Sequence, residues 1–230
     1  MSKSRIKVVL EGPYLVTGGV PIKKIGMDDD GNGGTKDWKD GKAYDAQDTY
    51  ALCRCGHSEG KPFCDGTHTK LGWVGKETAS RELYEDAARV YEGDAIDMLD
   101  ERSLCAVARF CDVAQGAWKL TLMSNDKTPE YEELATYQAS SCPSGRLTIR
   151  KDGVLVEPEL PQEIGVVEDL KYKTKGPLYV QGGITIEDTD GCEFEVRNRV
   201  TLCRCGESRN LPYCDASHLK CPHMRGLSDE

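Results

Sequence analysis

Two stretches of the chain share an apolar alternation with the same interruption. Residues 12–22 and 176–186 both begin with Gly-Pro, alternate apolar and polar positions, and contain a Gly-Gly pair. Alternation with a period of two is typical of β-strands, and Gly-Gly within such a run indicates a turn or bulge. Residues 49–52 and 194–202 also have a strand-like pattern and lead into cysteine-rich segments. The pattern therefore predicts two sets of strands, each ending at cysteines.

These blocks recur in the same order, which indicates a duplicated module. Leu52 and Leu202 are each followed by Cys-Arg-Cys-Gly. The distance from the Gly-Gly pair to the first cysteine is longer in the first copy, and residues 27–40 account for the difference. That stretch is acidic and glycine-rich, so we expect it to be an inserted surface loop.

The segment between the two copies has a different pattern. It predicts a helix over residues 80–89 and a short strand near residues 95–99. We expect an α+β fold that is mostly β, with modules at residues 1–79 and 158–230 and a separate domain at residues 80–157. A short helical turn is predicted after the third cysteine of each copy.

Composition and charge exclude several classes of function. The chain has 230 residues and a net charge of −9, which disfavours non-specific binding to nucleic acid. No apolar run reaches the roughly 18 residues of a transmembrane helix, so no membrane association is expected. The apolar stretch at residues 8–10 is too short for the core of a signal peptide, so we expect a cytoplasmic protein. The chain has eleven cysteines, and several lie at tight local spacings. In a reducing cytosol such clusters indicate metal binding or catalysis rather than disulfides.

The strongest chemical signal is a motif of three cysteines and one histidine that occurs twice. Both copies have the form C-x-C-G-x-S-x3-P-[FY]-C-D-x-x-H. The candidate ligands are Cys53, Cys55, Cys64 and His68 in the first copy, and Cys203, Cys205, Cys214 and His218 in the second.

The spacing within each motif suits metal binding. C-x-C brings two thiolates to one side of a tight turn, and Cys-x3-His puts the last two donors one helical turn apart. Gly56 and Gly206 permit positive φ beside the metal, and Asp65 and Asp215 can cap the turn that carries the histidine. Zinc also accepts three cysteines and a histidine, although its sites usually begin with C-x2–4-C.

At these residues the chain resembles the CDGSH iron–sulfur domain family. The family pattern, C-x-C-x2-[ST]-x3-P-x-C-D-G-[STA]-H, is matched throughout by the first copy, whereas the second has Ala216 in place of glycine. The resemblance implies that each four-residue set holds one [2Fe–2S] cluster. It also implies that the copies pack as an internal pseudo-dimer, each contributing strands to a shared sandwich. Zinc remains the alternative metal.

The middle segment contains a third cysteine pattern. Cys105 and Cys111 form C-x5-C, and Cys142 is followed by Pro-Ser-Gly. Residues 91–150 resemble the divergent single-cluster ferredoxin-like domain that is often fused to CDGSH modules. Three cysteines favour a [3Fe–4S] cluster, with [4Fe–4S] as the alternative if another group completes it. Residues 106–110 lack the histidine that the family usually has there. A degenerate domain with three plain thiols and no cluster is the alternative.

Other conspicuous residues are expected to be structural. Cys192 and Cys221 have no partner at ligand spacing, and His57 corresponds to Glu207 in the second copy, which favours a solvated loop position. Trp73 and Trp118 are expected to be packing residues. No nucleophile–base pair, phosphate-binding loop or paired-carboxylate pattern is apparent, so no catalytic residues are predicted.

These observations favour electron transfer with a redox partner protein. A histidine in place of one thiolate removes a negative charge and should raise the reduction potential. The acidic surface could steer docking to a basic partner. The alternatives are cluster storage or delivery to an apo-acceptor protein, redox or iron sensing, catalysis at the middle cluster, and a zinc-binding interaction module.

Overall fold

The computed structural model describes residues 4–227. The outer modules predicted from the sequence also include residues 1–3 and 228–230, which lie outside the described part. The strands are β1 (Arg5–Val8), β2 (Tyr14–Thr17), β3 (Ile22–Asp29), β4 (Thr35–Ala43), β5 (Thr49–Leu52), β6 (Arg89–Glu92), β7 (Asp97–Asp100), β8 (Leu147–Lys151), β9 (Val154–Val156), β10 (Glu163–Asp169), β11 (Thr174–Gln181), β12 (Thr185–Glu187) and β13 (Arg199–Leu202).

The helices are short and connect or flank the sheets. They are α1 (Thr67–Leu71), α2 (Tyr84–Ala87), α3 (Ala117–Met123) and α4 (Pro129–Ser140), with 3₁₀ turns at Arg102–Leu104, Phe110–Asp112, Ser217–Lys220 and Pro222–Met224. The fold is α+β and mostly β, as predicted. Within residues 4–227 no helix combines the length and the apolar character needed to cross a bilayer.

The two copies share a β-sandwich by exchanging strands. One sheet has the order β12-β1-β2-β5 and the other β13-β11-β10-β3-β4. In each copy the strand after the Gly-Gly pair joins the other copy's sheet: β12 pairs in parallel with β1, and β3 pairs in parallel with β10. All four glycines have positive φ, which allows the sharp change of direction. The pseudo-dimer is thus built from interleaved strands.

The core of the sandwich lies between the inner faces of these two sheets. Ile6 and Val16 project from one sheet and meet Ile164 and Val180 from the other. Each of these four side chains is at most 2% exposed. Burial of a branched aliphatic side chain contributes about 1.5–3 kcal/mol, so this shared core stabilises the pairing of the copies.

The middle segment forms its own antiparallel sheet, in the order β6-β7-β8-β9. Helices α3 and α4 pack on it, with Leu120 and Ala135 against Met98 and Ile149. Arg199 of β13, 1% exposed, anchors this unit to the sandwich. Its guanidinium donates to several backbone carbonyls at the end of α4, including that of Cys142 at 2.8 Å, and forms an ion pair with Glu157.

Three expectations from the sequence are wrong. Residues 27–40 are not a surface loop but most of the β3–β4 hairpin, because Trp38 packs on Phe110 and Tyr179, with ring centroids 5.0 and 5.6 Å away. The helix predicted over residues 80–89 is reduced to α2, because Arg89 already begins β6. The strand predicted over residues 194–202 is restricted to β13, since Arg197 turns to donate to the Gly145 carbonyl of the middle unit.

Candidate metal centres

Each CDGSH-like motif presents its four candidate donors as two close pairs. We call Cys53, Cys55, Cys64 and His68 site 1, and Cys203, Cys205, Cys214 and His218 site 2. In site 1 the two C-x-C sulfurs are 3.9 Å apart, and Cys64 Sγ is 3.4 Å from His68 Nδ1. In site 2 the corresponding distances are 3.5 and 3.4 Å. Two thiolates on one tetrahedral metal with bonds of about 2.3 Å are about 3.8 Å apart, so each pair matches one metal edge.

The polypeptide holds the two halves of each motif together by backbone bonding. Directly after β5, the Cys53 amide donates to the Pro62 carbonyl at 2.8 Å, and the Cys64 amide donates to the Ala51 carbonyl at 2.9 Å. The second copy repeats both bonds at Cys203 and Cys214. The C-x-C turn and the later cysteine are therefore positioned by the sheet rather than by a flexible loop.

The histidine is carried by a short helical turn in both copies, as predicted. Asp65 Oδ1 accepts from the Thr67 amide at 3.0 Å, and its other oxygen accepts from the Glu59 amide at 2.8 Å. Asp215 makes the same two bonds, each 3.0 Å long, to the Ser217 and Arg209 amides. These bonds to backbone amides lower the pKa of Asp65, so a charged carboxylate ties the helix start to the preceding loop.

The arginine between the C-x-C cysteines is buried in both copies. Arg54 is 1% exposed and Arg204 is 3% exposed. Both donate to backbone carbonyls, as Arg204 Nε does to Gly176 at 2.6 Å. Nevertheless Arg54 Nε and Arg204 Nη1 are buried without a hydrogen-bond partner in the described protein. An unsatisfied buried guanidinium beside thiols fits a site whose resident group is anionic.

Burial also sets the protonation of the donors. It raises the pKa of Cys55 to about 11 and raises that of Cys214 as well, so these thiols are neutral until a cation replaces their protons. Burial, together with the nearby charge of Arg204, lowers the pKa of His218 to about 4. The imidazole is therefore neutral near pH 7, as metal ligation requires.

Among residues 4–227, no three histidine, cysteine or acidic side chains converge on a single point that could hold one metal ion. The donors of each site are grouped two and two. This arrangement fits a centre with two metal atoms, each bound by one pair.

The three middle cysteines line one common cavity. Cys105, Cys111 and Cys142 border a space of about 220 Å³ together with Trp118 and Arg146. We call this the middle site. Burial raises the pKa of the Cys111 thiol to about 12, and the charges of Cys142 and Cys105 act in the same direction. Arg146, which is also bonded to Asp100 at 2.6 Å, supplies a cation at the cavity wall near Cys105.

The loop from Cys105 to Cys111 has an unusual backbone. Val107 and Arg109 have φ values of 54° and 62° without being glycine. A positive φ is costly for a β-branched residue such as valine, so the fold must hold this loop firmly. Alternation of left-handed and ordinary residues can turn successive amides toward one concavity, which suits an anion such as an iron–sulfur cluster.

The residues expected to be structural are not among the paired donors. Cys192 is exposed, whereas Cys221 is buried beside Cys205 and donates to the Ser217 carbonyl at 3.3 Å. His57 is exposed and stacks on His223, with centroids 4.2 Å apart. Trp73 donates to the Gly206 carbonyl at 3.3 Å, so it packs against the loop of the opposite copy.

The sequence analysis did not predict the burial of the arginine within each C-x-C turn or the ion pair made by the arginine of the middle loop. The repeated Cys-Arg-Cys could have indicated the paired roles of Arg54 and Arg204, since both copies carry arginine at that register. Nothing in the sequence indicated the buried ion pair between Arg109 of the middle loop and Asp169 of β10, because these residues are sixty positions apart.

Two models of known families match parts of the chain. The family model described as "Iron-binding zinc finger CDGSH type" matches residues 11–69 and 175–219. The model described as "Divergent 4Fe-4S mono-cluster" matches residues 91–152. No curated protein and no solved structure matches the chain significantly. The chain is therefore an iron–sulfur protein in which two segments that match the CDGSH model flank one that matches the mono-cluster model.

Proposed function

We propose that the protein is an electron-transfer protein with a [2Fe–2S] cluster at site 1, another at site 2, and a third cluster at the middle site. The observation that carries the proposal is the two-and-two grouping of the donors, with separations of 3.4–3.9 Å. A single zinc ion would need all four donors of a site around one point. A bound iron–sulfur cluster supplies reversible one-electron chemistry.

The chain's own groups prepare each site for that chemistry. The C-x-C pair and the Cys–His pair hold two metal positions. Because the imidazole is neutral, the total ligand charge is less negative than that of four thiolates. The buried guanidiniums of Arg54 and Arg204 add positive charge close to the cysteines. Both features stabilise the more negative, reduced state, and they support a potential above that of all-cysteine ferredoxins.

At the middle site we propose [3Fe–4S], because three thiolates border the cavity. Among the residues that line this cavity, Asp112 and Ser144 have side-chain oxygen atoms. Binding of one of them to a fourth iron would give [4Fe–4S], the type that the matched family description names. We further propose a cytoplasmic protein that exchanges electrons with a partner protein.

A second function is favoured by one observation. Cys64 and His68 of site 1 are only partly buried, so an acceptor could reach this cluster and receive it whole. Delivery of a cluster to an apo-acceptor is therefore the alternative to electron transfer.

One experiment separates the two functions. The reduced holoprotein is mixed anaerobically with a one-electron acceptor such as cytochrome c and, separately, with an apo-ferredoxin. Electron transfer predicts that the cytochrome is reduced while iron and sulfide stay with the protein. Movement of iron and sulfide to the apo-ferredoxin, with no electron passed to cytochrome c, would contradict electron transfer and favour delivery.

A further inference from the structure

The two CDGSH sites differ in their access to solvent. Cys214 and His218 of site 2 are each 3% exposed, whereas Cys64 and His68 of site 1 are both partly exposed. The sequence motifs are nearly identical, so the difference arises from what surrounds them.

One cause is the length of the connection between two strands. Val8 pairs with Tyr14, and at the same register of the second copy Val166 pairs with Leu178. Only residues 9–13 lie between the first pair. Residues 167–177 lie between the second pair, and they include the end of β10, the turn and the start of β11. The longer β10–β11 hairpin packs along the 3₁₀ turn Ser217–Lys220 that carries His218. Its tip is fixed by a bond of 2.8 Å from the Gly226 amide to the Lys173 carbonyl.

The same hairpin receives the loop of the middle site. Arg109 lies between Cys105 and Cys111 and forms a two-pronged ion pair with Asp169, at 2.6 and 3.1 Å. Both side chains are buried, at 7% and 1% exposure. The hairpin that contains Asp169 packs along the turn that carries His218. The middle loop is therefore clamped beside the histidine of site 2.

One further contact joins the middle site to site 2. The Asn210 side chain, in the site 2 motif, donates to the Ser103 carbonyl at 3.2 Å, just before Cys105.

Site 2 in turn touches site 1 through the backbone. A Cβ atom on Gly56 would lie 2.6 Å from the Cys205 carbonyl oxygen, and one on Gly206 would lie 2.5 Å from that of Cys55. The two C-x-C loops are thus in direct contact, cysteine backbone against glycine, across the pseudo-twofold axis.

We propose that the chain arranges its sites in a line, middle site to site 2 to site 1, with site 1 as the point of exchange with a one-electron carrier protein. This inference rests on the proposed function. In each step one electron leaves the reduced member of a neighbouring pair and is accepted by the oxidised member, and no bond is made or broken. The carrier protein supplies or removes that electron at the partly exposed Cys64–His68 side. Arg109 and Asp169 are positioning residues for the internal step.

The test is EPR power saturation of the dithionite-reduced holoprotein. The variants His68→Cys and His218→Cys assign the two [2Fe–2S] signals, since each alters the g values of one site. A soluble dysprosium chelate acts as a relaxing agent from solvent, and Cys142→Ser removes the relaxing effect of the middle cluster. Cys111→Ser serves the same purpose if Cys142→Ser fails to fold, and the chelate experiment needs neither variant.

We expect the chelate to raise the half-saturation power of the site 1 signal more than that of site 2. Loss of the middle cluster should lower the half-saturation power of site 2 and leave site 1 unchanged. Equal effects on both signals, or the reverse pattern, would overturn the linear order. Equal or reversed effects in a protein that contains iron and sulfide would contradict only the order of the sites. A protein without [2Fe–2S] signals would contradict the proposed function as well.

Discussion

Gly56 packs directly against the carbonyl oxygen of Cys205, so the two cysteine loops meet where neither can carry a side chain. A Cβ atom at residue 56 would lie 2.6 Å from that oxygen and 2.8 Å from His223 Nε2. His223 also lies 2.9 Å from the same carbonyl oxygen. The contact therefore joins the two copies at their candidate metal centres. A side chain cannot be added at residue 56 without moving one of the loops.

Substitution Gly56→Ala should destabilise the protein through this contact. Overpacking costs about 1–3 kcal/mol, in addition to the penalty of about 1–2 kcal/mol for a left-handed non-glycine residue. The measurement is the free energy of unfolding of the holoprotein in urea under anaerobic conditions. Gly66→Ala is the matched control, because Gly66 has a φ of 86° but no atom within 4 Å of a Cβ. Equal losses for both variants would show that the loops are not in contact.

The second copy already contains part of that control. Ala216 occupies the position of Gly66 with a φ of 68°. The sequence thus tolerates a left-handed alanine where space is open, which supports assigning the larger expected cost at Gly56 to its neighbours.

The ion pair between Arg109 and Asp169 should contribute strongly to stability when only one partner is removed. Arg109→Gln or Asp169→Asn alone should cost about 3–5 kcal/mol, because each leaves a buried charge without its partner. The double variant should cost less than the sum of the two. Urea unfolding of the four proteins gives this double-mutant cycle.

The pair of Arg150 and Asp97 is the control for that cycle. Its side chains are both 28% exposed and 2.9 Å apart. Removing either should cost no more than about 1 kcal/mol. If Arg109→Gln had an effect as small as Arg150→Gln, the clamp between the middle loop and β10 would not be a stabilising contact.

Replacing either histidine by cysteine should lower one reduction potential. A thiolate adds a negative charge where the imidazole was neutral, so reduction becomes less favourable by on the order of 100 mV. His68→Cys should move the potential of site 1 and His218→Cys that of site 2, as measured by anaerobic redox titration followed by EPR. Cys192→Ser, at an exposed cysteine, should change neither. A potential that rises in the histidine variants would argue against histidine ligation.

The local parts of this structure were predictable from the sequence, and the long-range parts were not. The Gly-Gly breaks, the strand before Cys53 and the turn that carries each histidine depend on neighbouring residues, so their patterns were sufficient. The β3–β4 hairpin was mistaken for a loop because its strands are polar. Trp38 of β4 packs on Phe110 and Tyr179, which are far away in sequence.

The difference in burial between site 1 and site 2 could not be predicted from the motif either. Both motifs predict the same donors in the same order. The turn that carries His218 packs against the longer β10–β11 hairpin, and Arg109 of another unit is bonded to Asp169 of that hairpin. Such contacts arise only when the sheets assemble, so a local reading treats the two sites as equivalent.

Iron and acid-labile sulfide analysis of anaerobically purified protein, combined with EPR before and after reduction, tests the central claim most directly. Two [2Fe–2S] clusters and one [3Fe–4S] cluster predict about seven iron and about eight sulfide per chain. The oxidised sample should show only the middle-site signal. Full reduction should remove that signal, since a one-electron reduced [3Fe–4S] cluster has integer spin, and should give two new signals from sites 1 and 2. A colourless protein with stoichiometric zinc and no labile sulfide would contradict the account.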